Sequence, residues 1–228
     1  MNICINYGHA LTGAGTGAVS LKKESEETRC VGKKVVEMLK ANSSHQIFVA
    51  DFNGEDNYVK AVAFANANNI DLFVSIHFNC GANDTKGNGS TTGTEVLVGH
   101  TGSSAYDEAQ RIATNISKLG LKNRGVKLRP DLYVLKHTKM GACLVECAFL
   151  DDLDDMKVYN ANTMAKAITE GILGKAISDS KPSTEVPNTN DKVIYRVVAG
   201  SYSVRENAQA QLDKLNKLGI EGCFLTVK

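Results

Sequence analysis

Two histidines and two glutamates carry the chemistry that this sequence offers: His9, Glu24, His77 and Glu146. Two neutral imidazoles and one carboxylate form a common set of three protein ligands for catalytic zinc, and such a set leaves a fourth position for water. A further glutamate beside the metal can act as a general base. The four residues lie far apart in the chain, so they form a hydrolase site only if the fold brings them together.

Both histidines follow segments that predict strands. Residues 2–7 carry apolar side chains at positions 3 and 5 and lead into a glycine-rich loop, so we expect His9 at a strand tip. Residues 71–76 form an almost continuous apolar run, which is typical of a central strand covered on both faces. His77 follows this run directly and is also expected at the carboxyl end of a strand.

The two glutamates stand in different surroundings. Glu24 opens a segment with the apolar spacing of an amphipathic helix, and a carboxylate in the first turn suits the helix dipole. On this ground Glu26 and Glu27 are equal candidates. Glu146 interrupts the otherwise apolar strand 142–150, where an unpaired charge should cost several kcal/mol. A charged residue that is kept in a buried strand at such a cost usually has a function.

Each of these signals has a simpler interpretation when it is taken alone. A histidine at the end of a strand is often only hydrogen-bonded, and a glutamate at a helix start is often only solvated. No HExxH motif brings ligands together locally, so convergence depends on the fold. Further donors whose role the sequence leaves open are Cys80, His45, His100 and His137.

The order of the predicted elements indicates an α/β fold with a mostly parallel twisted sheet flanked by helices. Strands are predicted at 2–7, 46–50, 71–77, 94–98, 132–135 and 142–147, and helices at 24–41, 58–68, 104–119 and 161–174. In open α/β sheets ligands bind at the carboxyl ends of the strands. Residues distant in sequence are therefore expected to meet at one rim of the sheet.

Composition limits the classes of partner. The 228 residues are 43% apolar, which suits one moderate domain and a small appendage. A net charge of +1 with no Trp offers no basic stripe with aromatic platforms, so we expect no nucleic-acid partner. We also expect no membrane span, no signal peptide and therefore synthesis in the cytoplasm. The six cysteines include no CxxC pair and are expected as reduced thiols.

Four segments together resemble a known family: YGHA, KKESEETRCVGKKV, DLFVSIHFN and LYVLKHTKMGACLVECAFLDD. They are similar to the zinc-dependent N-acetylmuramoyl-L-alanine amidases of bacterial cell walls and phage endolysins, over about residues 1–175. The resemblance implies that His9, Glu24 and His77 hold Zn²⁺ and that Glu146 is catalytic. Glu24 is preferred to its neighbours because Thr28 and Arg29 match the family pattern that follows the glutamate.

The resemblance also implies a reaction. The substrate is peptidoglycan, and the bond cleaved is the lactyl amide between N-acetylmuramic acid and L-alanine. Acting as an autolysin or endolysin, the protein would reach the cell wall after release from the cytoplasm. Two alternatives stay open: a zinc peptidase that cleaves the stem peptide, and a non-catalytic wall-binding protein.

The end of the chain differs from the rest. Residues 176–192 are polar and contain two of the three prolines, which is typical of an exposed linker. Residues 193–228 predict a small βαβ unit, with strands at 193–202 and 222–227 around a helix at 206–218. This unit resembles a single SPOR peptidoglycan-binding repeat. Because so short a unit buries little core, we predict homodimerisation through the tails or docking on the catalytic domain 1–175.

Overall fold

The computed structural model describes residues 1–178 and 205–217. The strands in these ranges are β1 (Asn2–Tyr7), β2 (Gln46–Ala50), β3 (Leu72–Asn79), β4 (Thr94–Val98), β5 (Asn123–Leu128) and β6 (Gly141–Phe149). The helices are α1 (Glu24–Asn42), α2 (Asn57–Ala67), α3 (Tyr106–Ser117), α4 (Tyr133–Lys136), α5 (Leu153–Val158), α6 (Ala161–Leu173) and α7 (Arg205–Lys217).

The strands form one sheet in the order β2-β1-β3-β6-β4-β5. Four of the five neighbouring pairs are parallel, and the pair β4–β6 is antiparallel. The predicted α/β fold with a mostly parallel sheet flanked by helices is therefore confirmed. Because β1, β3 and β6 run in the same direction, their carboxyl ends meet at one rim.

Alternation along the strands builds a core on each face of the sheet. On one face, side chains such as Ile5, Val74 and Val145 pack against α1, α3 and α6. On the other face, Phe73 and Leu144 pack against α2 and α4. Both faces are thus apolar, which explains why the strand at 71–77 was recognisable as an almost continuous apolar run.

One predicted strand is wrong. The sequence pattern predicts a strand at 132–135, but these residues form most of the single helical turn α4, whose residues Val134 and Leu135 are buried in the second core. A short apolar run does not distinguish a strand from a buried helical turn by its period. The edge of the sheet beside β4 is formed by β5. The sequence pattern did not predict this strand, because its sequence NRGVKL is mostly polar and its residues are only partly buried.

The chain divides into two compact units, Met1–Ser180 and Lys181–Lys228. In the second unit α7 is the described element, and it lies close to the helix predicted at 206–218. The strands predicted at 193–202 and 222–227 lie outside the described residues, as does most of the linker, so those boundaries stay predictions. No helix within the described ranges is long and apolar enough to cross a bilayer.

Candidate metal centre

Three side-chain donor atoms converge at the rim where β1 and β3 end. His9 Nε2 lies 3.1 Å from Glu24 Oε1, and His77 Nδ1 lies 3.2 Å from the same oxygen. The two imidazole nitrogens are themselves 3.2 Å apart. The three residues predicted as ligands therefore meet although they come from the end of β1, the start of α1 and the end of β3.

The Glu24 carboxylate is buried, with 4% of the residue exposed. Its Oε1 accepts a hydrogen bond from the Phe78 backbone N–H, and its Oε2 accepts one from Ala18. Burial alone raises the pKa of this carboxyl, but hydrogen bonds with His77 and His9 outweigh burial and hold the pKa well below its ordinary value. Burial lowers the pKa of His77. At neutral pH the pair is thus an ionised carboxylate beside a neutral imidazole, the forms that bind a metal ion.

The backbone around His9 is shaped to admit the imidazole. His9 has a φ of 66°, a left-handed conformation that is uncommon outside glycine. Gly17 folds over it with a φ of 75°, and a Cβ at this position would lie 2.6 Å from Glu24 Oε2 and 2.7 Å from the His9 ring. A Cβ on Gly8 would lie 2.5 Å from the His77 ring. Two glycines therefore leave the space that the three donors fill.

Glu146 lies next to the three donors, on the neighbouring strand. In the β3–β6 ladder it is the register partner of His77, and the register shifts immediately beyond this pair. Such irregularities often lie beside active sites, where they redirect a side chain. Glu146 Oε2 is buried and has no hydrogen-bond partner within the described part of the chain. Burial, followed by the charges of Glu24 and Glu95, raises the pKa of the Glu146 carboxyl to about 8.

Glu95 lies beside Glu146 and was not among the residues predicted for the site. The antiparallel register of β4 and β6 places it directly opposite Glu146. Arg124 Nε donates to Glu95 Oε2 over 2.8 Å, and Asn79 Nδ2 donates to Oε1 over 3.1 Å. A charged residue inside the strand at 94–98 was the available signal, the same one that identified Glu146. The contact between Arg124 and Glu95 could not be predicted, because the sequence pattern did not identify β5 as a strand.

The alternative donors do not join this group. Glu26 is exposed and paired with a lysine, and Glu27 binds a lysine and a tyrosine hydroxyl. The structure thus brings Glu24, rather than either neighbour, to the two imidazoles. The four donors whose role the sequence left open belong to no cluster with metal-ligand spacing among the described residues: Cys80, His45, His100 and His137.

A second group of carboxylates lies where the loop after β3 meets the turn after β6 and the start of α5. Oxygens of Asp84, Asp152 and Asp154 lie within 4.8 Å of one another. Asp152 and Asp154 accept hydrogen bonds from the backbone of the loop 80–93, whereas Asp84 belongs to that loop. We call the residues that hold this loop the acidic clasp: Asp151 accepts N–H bonds from residues 81–83, Asp152 from residue 92, Asp154 from residue 89 and Asp155 from residue 93.

Comparison with known families gives two matches. The family model described as N-acetylmuramoyl-L-alanine amidase matches residues 3–178, which covers all the residues of the metal centre. A model described as SPOR domain matches residues 162–226. The second match begins within α6, whose residues Met164 and Ile168 are buried in the first core.

Individual proteins agree with the first match. An uncharacterized protein of Clostridium perfringens is 34% identical over 203 residues, covering 85% of this chain but 58% of its own length. The endolysin of Bacillus phage SPP1 is 29% identical over 202 residues, covering 83% of this chain and 71% of the endolysin. The solved catalytic domain of the CD27L endolysin, which targets Clostridia difficile, is 27% identical with a TM-score of 0.68, covering 78% of this chain and 99% of that domain.

Proposed function

The chain belongs to the N-acetylmuramoyl-L-alanine amidase family, and from this premise we propose that it is a zinc-dependent hydrolase of peptidoglycan. The bond cleaved is the amide between N-acetylmuramic acid and L-alanine. The site of action is the bacterial cell wall, where cleavage of this bond weakens the wall and leads to lysis. His9, Glu24 and His77 are the proposed zinc ligands, and Glu146 is the proposed catalytic base.

The observation that carries the proposal is the convergence of the three donor atoms. Their separations of 3.1, 3.2 and 3.2 Å are close to the ligand edges of a tetrahedron, about 3.3 Å for bonds of about 2.0 Å. Two nitrogens and one oxygen fit Zn²⁺ better than Ca²⁺ or Mg²⁺, which prefer oxygen ligands. Three protein donors leave a fourth position open, as catalytic zinc sites do.

A bound zinc ion supplies Lewis acidity toward the scissile carbonyl and toward water. The rest of the chemistry belongs to the side chains. Glu146 has an oxygen without a hydrogen-bond partner within the described residues and a pKa raised to about 8. In its ionised form Glu146 would accept the proton of the attacking water, and the raised pKa lets the carboxyl hold that proton until it passes to the departing L-alanine amine.

Glu95 holds a second negative charge opposite Glu146. Its charge is partly offset by an ion pair with Arg124 on β5. Like charges on neighbouring strands disfavour ionisation of the less solvated partner. The charge of Glu95 thus raises the affinity of the Glu146 carboxylate for the proton that it takes from water.

The SPOR match suggests a role for the end of the chain in binding peptidoglycan. A tail that binds the same polymer as the catalytic domain raises the local concentration of cleavable bonds. Self-association through the tail stays a prediction. Light scattering that gives a monomer mass both for the full chain and for residues 1–175 would contradict it.

Mass spectrometry of digested peptidoglycan tests the proposed reaction. The full chain is incubated with purified peptidoglycan in zinc or in a chelator, beside a Glu146→Gln variant. New L-alanine amino termini that appear only with zinc and only with the unaltered protein support the amidase. New termini inside the stem peptide would favour a peptidase, and no new termini under any condition would favour a wall-binding protein.

A further inference from the structure

The strained backbone of His9 requires something to hold it. Its φ of 66° lies in the left-handed region, which a histidine occupies only where the surroundings fix it. His9 is also the most exposed of the three donors, with 30% of its side chain accessible. Packing around the ring therefore does not suffice to explain why the imidazole faces Glu24 and His77.

Two side chains of α1 hold the main chain at this point. Thr28 Oγ1 donates to the carbonyl oxygen of Gly8 over 2.9 Å, and Arg29 Nη2 donates to that of His9 over 3.0 Å. Thr28 is fully buried and Arg29 is 5% exposed. Water competes little with hydrogen bonds in such a buried setting, so the two bonds fix the orientation of the peptide groups that follow Gly8 and His9.

The Arg29 guanidinium is itself fixed. Nη1 donates to the carbonyl oxygen of Ser25 over 2.8 Å, and Nη2 also contacts the carboxylate of Asp51, after β2. The same helix carries Glu24 in its first turn. One rigid element thus sets both the Glu24 carboxylate and the backbone of His9.

We propose that Arg29 is a positioning residue, whose guanidinium holds the His9 backbone in the conformation that turns the imidazole toward Glu24 and His77. The inference rests on the proposed function, because it assumes that these three donors bind zinc. It differs from that function in assigning a role to a residue that donates no atom to the metal. Arginine suits this role because its planar fork reaches several acceptors in a fixed geometry.

The test compares Arg29→Met with Arg111→Met in the full chain. The first variant removes the hydrogen bond to His9, whereas Arg111 lies on α3 and donates to the carbonyl oxygen of Gly171 and to Glu108, so its loss leaves the hydrogen bond to His9 in place. For each protein we would measure the zinc dissociation constant by chelator competition, the visible absorption of the Co²⁺ form and the melting temperature without metal. The Co²⁺ absorption reports ligand geometry, which a loss of stability alone would not change.

We expect Arg29→Met to weaken zinc binding about tenfold or more and to shift the Co²⁺ bands, by analogy with the loss of groups that orient ligands. Arg111→Met is expected to stay within threefold of the unaltered protein, with the same spectrum. Equal affinity and spectrum in Arg29→Met would overturn the proposal, as would an equal loss in both variants.

Two further results keep the test decisive. If Arg29→Met does not fold, Arg29→Lys replaces it; its single ammonium cannot reproduce the fork, so a three- to tenfold loss is expected and unchanged affinity and spectrum would overturn the proposal. If the unaltered protein binds no zinc, the proposed function fails. If it binds zinc and the variants bind equally well, only the role of Arg29 fails.

Discussion

The metal centre and the acidic clasp are both groups of close-lying ligand-type side chains, yet their atoms face different partners. In the metal centre, two nitrogens and one oxygen lie within 3.2 Å of one another. In the clasp, Asp152 Oδ1 accepts from two backbone N–H groups of α5, and Oδ2 accepts from the Thr92 N–H and hydroxyl. The donor atoms of the metal centre point toward one another, whereas the carboxylate oxygens of Asp152 point toward backbone and hydroxyl donors of the protein.

The difference shows that the number of acidic residues is a poor guide to a metal site. Asp152 is fully buried, and its hydrogen bonds satisfy it without a cation. The neighbouring Asp84 is not part of the clasp, and its Oδ2 lacks a hydrogen-bond partner within the described part of the chain, so a cation beside the clasp would bind at this oxygen. Ligand type adds to the contrast, because only the metal centre contains imidazoles.

The largest expected effect comes from Glu146→Gln. Removing a general base that is positioned for proton transfer lowers turnover by about 10²- to 10⁴-fold. Zinc affinity should change less than about threefold, because Glu146 is not one of the three converging donors. Dye release from labelled peptidoglycan and zinc titration measure the two quantities. The exposed helix residue Glu37, changed to Gln, is the matched control and should leave both unaltered.

His77→Ala should separate the two groups by metal affinity. Loss of one of three ligands is expected to weaken zinc binding by at least about 100-fold, while Asp152→Asn leaves it unchanged. Isothermal titration of both variants beside the unaltered protein makes the comparison. A similar loss in Asp152→Asn would mean that the clasp, and not only the metal centre, binds zinc.

Asp152→Ala should lower the stability of the fold, and this effect distinguishes the acidic clasp from the metal centre. The change removes the N-cap of α5 and the anchor of Thr92, so the free energy of unfolding should fall by about 2 kcal/mol. Urea unfolding of the metal-free protein measures the loss. An unchanged unfolding midpoint would contradict the structural role of the clasp.

The smallest effect concerns pH. The pKa of Glu146 is raised to about 8 in the folded protein, so the fold favours the protonated form. The associated stability is present in full below the unfolded pKa near 4.5 and is lost as pH rises toward 8. Between pH about 6 and 8, the metal-free protein should lose about 1 kcal/mol relative to Glu146→Gln, after allowance for solvent screening. Parallel pH curves for the two proteins would contradict the raised pKa.

The sequence predicted most of the residues that the structure brings together at the candidate site, because each of them had a local signal. His9 and His77 follow recognisable strands, Glu24 opens an amphipathic helix, and Glu146 interrupts an apolar run. Parallel strands then place these ends on one rim, as the confirmed fold class requires. Family resemblance favoured Glu24 over Glu26 and Glu27, a choice that periodicity left open.

Long-range register explains what the sequence did not predict. The pairing of Glu95 with Glu146 depends on β4 being antiparallel to β6, and nothing local specifies that direction. The contact of Arg29 with the His9 carbonyl depends on how α1 packs over the end of β1. The edge strand β5 is polar, so its pattern resembles a loop until its neighbour is known.

Anomalous diffraction from crystals of the full chain grown with zinc would show which side chains hold the metal. We expect a zinc peak about 2.0–2.2 Å from His9 Nε2, Glu24 Oε1 and His77 Nδ1, and no peak among Asp84, Asp152 and Asp154. A peak only at the aspartates, or none at the two histidines and Glu24, would contradict the proposed zinc site.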